Sequence, residues 1–540
     1  MRDRKYRPSL LGGILWTGLG VIFLLRNFGI GPDFWSVAAR YWPILLILLG
    51  LGKVIDYYRQ KEGVSVRFGE ILGILFLVLI GTLITKITQS NVGRVFRELP
   101  ISIGGTPVRP GEWFGTSYSY SEEKSYPLTT PTPVRIENSY GSVTVMPGSD
   151  QEVKVRIRKM VYQNDESRAK QIAAEIQVEA GPEGQAEAAS FLVKTNRDAL
   201  ASKDYRFNTD LEVLVPPKTQ VKVENSFGEV RAANLEGRLE LSTTHNELEI
   251  RDCSGEFIAS NRYGDSRFVN LTGNLTVDAR GRISAETIKG NVALTNEFHA
   301  VEVRDVDGTL TVSNTESSVS VEKITKPVVI NARGTQVTVS DLDSSLKLTT
   351  SHRRVQVSDV EADVDAEISY LAATLKNIRG KTTIRSNSDR LTFEDVGALN
   401  VKAQGTAVTA SNVNGPVDIE TTMRDVDLSD FNATCKVVNQ FGDITLSPKT
   451  LGKGGINVKG RNGAIELYLP EGAAFEIQAN ARNGRIVSDY AGLVPAEAGS
   501  DAGTLKGKVK SGGPTIVLDS EYGNIQLRTR GSENAQNRSN

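Results

Sequence analysis

Two cysteines, three histidines and a row of aspartates are the residues of this 540-residue chain with the most chemistry to offer. Cys253 and Cys435 are too few for a disulfide-rich scaffold or a four-cysteine zinc module. His245, His299 and His352 stand 54 and 53 residues apart, and Asp341 and Asp359 stand 18 apart. No H-E-x-x-H, G-x-S-x-G, P-loop or dinucleotide fingerprint occurs. The sequence therefore nominates no catalytic, cofactor-binding or metal-ligating residue, and no cofactor is expected.

What must position these side chains is a repeat. From "VRAANLEG" at Val230 through "LEIRDCSG" at Leu248 and "VEVRDVDG" at Val301 to "VDLSDFNA" at Val426, one phrase is restated twelve times at a spacing of 18, with two steps of 17. Its opening alternates as a half-buried strand does. Its fifth residue is Asp or Asn in ten of the twelve copies, a type that shapes corners. Its sixth residue is always apolar, from Leu235 to Phe431, and its eighth is usually glycine or another small residue. A second alternating segment follows about nine residues later, as in "GNLTVD" and "GTLTVS". Two short strands and two corners per copy describe an all-β solenoid of about 18 residues per rung, with about twelve regular rungs. At the strand spacing of about 4.8 Å these would stack to roughly 58 Å.

On that grid both cysteines are core residues, about ten rungs apart and beyond disulfide reach. The histidines fall on nearly the same corner, exposed, with neighbours roughly 14 Å apart, too far to share a metal. Asp341 and Asp359 lie one rung apart, near enough for a cation to bridge them, yet the calcium nonapeptide is missing and a ladder of turns accounts for the row. Four related phrases, "ENSYG", "ENSFG", "NQFG" and "SEYG", read as turns in which polar residues bond the bend, the aromatic packs and glycine turns the chain.

The N-terminal 90 residues differ in kind. Uncharged or apolar runs at 8–25, 41–52 and 71–85 read as an uncleaved anchor of two or three transmembrane helices, the shorter ones spanning if Lys53 and Lys86 snorkel. Trp16, Trp35 and Trp42 suit interfacial positions. Arg2, Arg4, Lys5 and Arg7 precede the first run, and Lys53, Arg59, Lys61 and Arg67 separate the second from the third, so the N-terminus is expected in the cytoplasm. Three spans would place the remainder outside; two would reverse it. The chain divides into an anchor (1–90), a linker (91–133), an N-terminal cap with a helical insertion (134–220), the regular solenoid (221–450), a C-terminal β cap (451–530) and a disordered tail (531–540). The balance of 63 basic against 64 acidic residues offers no excess positive charge for nucleic acid.

The "GNLTV", "GTLTVS" and "GPVDIE" phrases, with "LEVLVPPKTQVKVENSFGEV" before and "IELYLPEGAAFEIQANARNGRI" after them, resemble bacterial adhesin-like β-strand-repeat domains of the DUF4097 type over residues 134–528. The pair "LLGGILWTGLGVIFLLRNFGI" and "YWPILLILLGLGKVI" is similar to the membrane module of Lia-type envelope-stress proteins. The resemblance implies a bacterial envelope protein without known catalysis and carries over no functional residues. The expected function is a non-enzymatic, membrane-anchored, extracytoplasmic surface for an envelope protein or glycan. Envelope-stress sensing through the spans is the first alternative, and a carbohydrate-active β-helix enzyme the second. Ligand, partner and oligomeric state are not specified by the sequence.

Overall fold

The computed structural model describes residues 101–103, 106–108, 116–128, 132–183, 190–387, 389–493, 496–497 and 503–530. The apolar runs of the expected anchor and the tail 531–540 lie outside the described residues. Among the described residues no helix is long and apolar enough to cross a membrane. The chain forms two units. One gathers residues 1–118 with Tyr162–Ala169, and its described part includes an antiparallel pair, Ile101–Ile103 with Thr106–Val108. The other, Ser119–Val161 with Lys170–Asn540, contains the solenoid.

One rung shows why the phrase reads as it does. The strand Val292–Glu297 buries alternate residues, turns at Phe298, and continues as Val301–Asp307. In the second strand Val301, Val303 and Val306 are buried, a pattern of positions one, three and six rather than one, three and five. The change of phase occurs at Asp305, whose φ of 58° is left-handed. Every fifth residue of the twelve phrases shares that conformation, with φ between 52° and 60°. Asn and Asp tolerate this region better than other side chains, which explains their recurrence. Thr287 and Lys323 adopt it without that advantage. The sixth residue then turns inward, and all twelve are buried. The glycine that follows is also dictated by geometry: a Cβ on Gly255 would stand 1.9 Å from the Gly237 carbonyl oxygen of the preceding rung.

Rungs stack in parallel register. Leu239 pairs with Phe257 and Phe257 with Leu275, 18 residues on each time; Leu275 pairs with Val292 after a step of 17. The result is continuous apolar columns, each buried Val, Leu or Ile contributing roughly 1.5–3 kcal/mol of transfer free energy. About fourteen rungs follow one another, two more than the phrase count. The additional two are Cys435–Phe441 with Ile444–Ser447, and Ile456–Asn462 with Ile465–Leu469. They lack the phrase because a longer connection replaces the Asx corner, lengthening the step to 21 between Cys435 and Ile456.

Both ends of the stack are closed by antiparallel strands, which leave less unpaired edge. On the N-terminal side Val134–Tyr140 pairs in parallel with Val221–Phe227 and with Ser190–Thr195, and Val178–Glu183 and Glu152–Gln163 run antiparallel. The helical insertion is Glu166–Glu175. Within the expected linker, Thr116–Pro127 is a twelve-residue strand pairing with Glu152–Gln163. Glu123 there meets Arg156 at 2.8 Å, and Tyr126 packs on Phe191, so alternation prevails over a composition rich in Ser, Thr and Tyr. At the C-terminal side the stacking order departs from chain order. Thr515–Ser520 and Ile525–Thr529 insert between Ile456–Leu469 and the strands Phe475–Ala481 and Ile486–Ser488.

Candidate binding corner

The turn between the two strands of each rung forms a second column of corners. Following the register, Tyr140, Phe227, His245, Tyr263, Gly281, Phe298, Glu316, Gly334, His352, Tyr370, Gly405, Met423, Phe441, Asn462 and Tyr522 occupy one position. The four aromatic turn phrases all belong to it. Two residues before each corner a polar side chain often points inward and ties the carbonyls of adjacent rungs. Asn225 Nδ2 donates to Gly141 O at 3.0 Å and to Gly228 O at 3.1 Å. Asn439 Nδ2 donates to Arg424 O at 2.8 Å, and Thr421 Oγ1 to Thr406 O at 3.1 Å. These bonds satisfy buried backbone at the bend and fix the corner.

The rings fall into two regimes. Near the N-terminal end they stack: Tyr140 on Phe227 with centroids 4.7 Å apart, Phe227 on His245 at 4.5 Å, and His245 against Tyr263 at 5.0 Å. The Arg197 guanidinium lies 3.7 Å above Tyr140. His245 is half-buried in this stack rather than exposed, and burial lowers its pKa. His299 and His352 are exposed, as the sequence suggested. From Tyr263 onward the side chains stand largely in solvent, with His352 and Tyr370 forming one further ring pair at 5.3 Å. Tyr263, Phe298, Tyr370, Met423, Phe441 and Tyr522 are between 45% and 65% exposed, and of the exposed large apolar side chains described only Val487 lies elsewhere.

Four non-glycine members hold left-handed backbone: Phe298 (φ 73°), Glu316 (62°), His352 (75°) and Tyr370 (60°). Gly334 and Gly405 fill the same position with φ 62° and 64°, at no steric cost. Along the segment from Tyr263 to Tyr370, the residues within two positions of the column include Arg262, Arg280, Arg282, Arg333, Arg353 and Arg354 against Asp265, Glu297 and Glu316. Arg280 pairs with Glu297 at 3.1 Å, and Asp265 accepts the Arg282 backbone N–H at 3.1 Å. Arg282, Arg333, Arg353 and Arg354 make no ion pair among the described residues. The corner is thus apolar, aromatic and locally basic.

The residues singled out for chemistry have structural surroundings. Cys435 is fully buried beside Val417 in the register, and burial raises its pKa far above the ordinary thiol value. Cys253 occupies the buried sixth position, its thiol also raised by burial. Asp341 and Asp359 share the left-handed corner. Asn377 Nδ2 donates to Asp359 Oδ1 at 2.8 Å, and that bond chiefly lowers the Asp359 pKa. Among the described residues no three His, Cys, Asp or Glu side chains converge as metal ligands would. The exposed aromatic column extends well beyond the four phrases in which glycine follows the aromatic; the signal for it is the placement of every Phe, Tyr and His on the 18-residue grid.

Residues 133–528 match the Toastrack DUF4097 family, and residues 11–103 match the LiaF transmembrane domain. No curated protein matches the chain. Among solved structures, one from Clostridium sporogenes described as a "putative cell adhesion protein" is 8% identical, with 76% of this chain and all of that one covered, at a TM-score of 0.13. The chain belongs to the Toastrack DUF4097 family.

Proposed function

We propose that this is a membrane-anchored, non-enzymatic protein that holds its solenoid outside the cytoplasmic membrane as an adhesin-like binding surface. The observation carrying the reading is the corner column. Large apolar side chains exposed in a line along one corner of the rungs suit contact with a partner better than solvent. Rigid stacking supports it, because a surface fixed by inter-rung hydrogen bonds loses little entropy on binding. The match of residues 11–103 to the LiaF transmembrane domain supports the anchor. The basic residues at 2–7 and 53–67 favour three spans and a cytoplasmic N-terminus. The anchor (1–90) and the N-terminal cap with its helical insertion (134–220) keep the limits expected from sequence, but the strand Thr116–Pro127 joins that cap and the stacked rungs run on to Leu469.

Adhesive binding predicts that the full chain in lipid nanodiscs sediments with isolated bacterial cell-wall fragments. Failure to do so would remove the reading. The LiaF match also favours a role in envelope-stress sensing through the spans. That role predicts loss of a stress response when residues 1–90 are exchanged for an unrelated anchor, with wall binding intact.

A further inference from the structure

We infer that the segment of the corner from Tyr263 to Tyr370 is a binding site for an extended anionic polysaccharide, laid along the stack with its sugar faces on the exposed rings. The inference rests on the binding-surface reading above and names its ligand.

Three observations converge. The first is backbone conformation. Phe298 and Tyr370 hold bulky side chains at φ 73° and 60°, while Gly334, at φ 62°, fills the same corner without penalty. A left-handed conformation costs a residue with a Cβ about 1–2 kcal/mol, and little burial offsets it: both rings are more than half exposed, and Tyr370 has only the likewise exposed His352 ring beside it at 5.3 Å. A strained and solvated ring kept where glycine fits marks a site rather than a packing solution. The second is spacing. Tyr263 and Phe298 are two rungs apart, roughly 10 Å, and Phe298 and Tyr370 four rungs, roughly 19 Å. In an extended polysaccharide alternate sugars present the same apolar C–H face, a repeat close to two rungs. The exposed rings can meet it at Tyr263, at Phe298 and at the His352–Tyr370 pair, whose centroids are 5.3 Å apart, with Gly281 and Gly334 leaving space between these points.

The third is charge. Six arginines against three carboxylates flank this segment, whereas the column beyond Tyr370 carries as many acids as bases or more. Arg282, Arg333, Arg353 and Arg354 are free to pair with carboxylate or phosphate groups borne by the sugars. Single-stranded nucleic acid also stacks on aromatic residues beside cations. Glu297 and Glu316 interrupt the basic run and the whole chain carries a net charge of −1, so no continuous electrostatic groove tracks a backbone of uniform charge.

The test uses the full chain in nanodiscs, with polygalacturonate, neutral dextran and an oligothymidylate as probes, and cell-wall fragments alongside. Binding to polygalacturonate at physiological salt is expected, with at least tenfold weaker affinity for dextran and for oligothymidylate. The pair Phe298→Gly and Tyr370→Gly should weaken polygalacturonate binding at least tenfold while leaving Tm unchanged or higher, because each relieves a strained φ. Arg353→Gln with Arg354→Gln should weaken binding and flatten its salt dependence. Wall binding without polygalacturonate binding would overturn the polysaccharide assignment and leave the surface reading standing; loss of both would remove both. Equal affinity for oligothymidylate, or glycine variants that bind normally, would also overturn the assignment.

Discussion

Thr287, with φ 55°, is a β-branched residue in the conformation least suited to it, at a corner where ten of twelve rungs use Asn or Asp. Thr287→Asn should therefore raise stability by about 0.5–1 kcal/mol, read as a higher Tm, since the relief of backbone strain exceeds the loss of a weak 3.3 Å hydrogen bond to Asp305. An unchanged or lower Tm would deny that the left-handed corner selects these residues. His245 offers a test by pH. Its pKa is lowered by burial, so between the folded value and the ordinary value of 6.5 the unfolded chain holds the proton and the folded chain does not. Stability must then fall as pH falls through this window. His245→Phe keeps the stack and removes the titration; its denaturation midpoint should lose less than the parent's between about pH 7 and about pH 5. The Asp/Asn row was legible from sequence as a corner, but not its cause. A pattern of residue types gives polarity and position, and only dihedral angles reveal that the phase of the strand changes there.

At the scale of the element, the rung was the most legible feature. The period, the buried sixth position and the core placement of Cys253 and Cys435 follow from alternation on an 18-residue grid, and the structure shows all three. Less legible were elements whose environment supplies the order. Thr116–Pro127 is a strand because Glu152–Gln163 offers it an edge and Arg156 a counter-ion, neither of which its own composition announces. The last two rungs escaped the count because they keep the apolar columns and discard the corner phrase. The glycine column yields a sharp prediction. Gly255→Ala would drive a Cβ to within 1.9 Å of a backbone oxygen that cannot move without shifting a neighbouring rung. A loss of about 3 kcal/mol is expected, measured by denaturant unfolding, against less than about 1 kcal/mol for an exposed strand substitution such as Thr311→Ala. Equal effects would mean that the rungs tolerate wider spacing than their register implies.

For the whole molecule, the C-terminal strands bear on how the stack is completed. Thr515–Thr529 pairs on one side with Ile456–Leu469 and on the other with Phe475–Ser488, so this late segment is an interior layer. Ending the chain at residue 514 should therefore release Phe475–Ser488 to protease as well as destabilise the stack, whereas ending it at residue 530 should change neither. Protection of Phe475–Ser488 in the shorter chain would show that its own pairing suffices. Display of this stack outside the cytoplasmic membrane can be read directly from protease accessibility of a tag at Asn540 in intact spheroplasts. Digestion of the tag, with a cytoplasmic marker preserved, is the expected result and puts the binding corner on the envelope side. A tag protected until the cells are lysed would contradict the account, reverse the orientation drawn from the basic residues and place the corner in the cytoplasm.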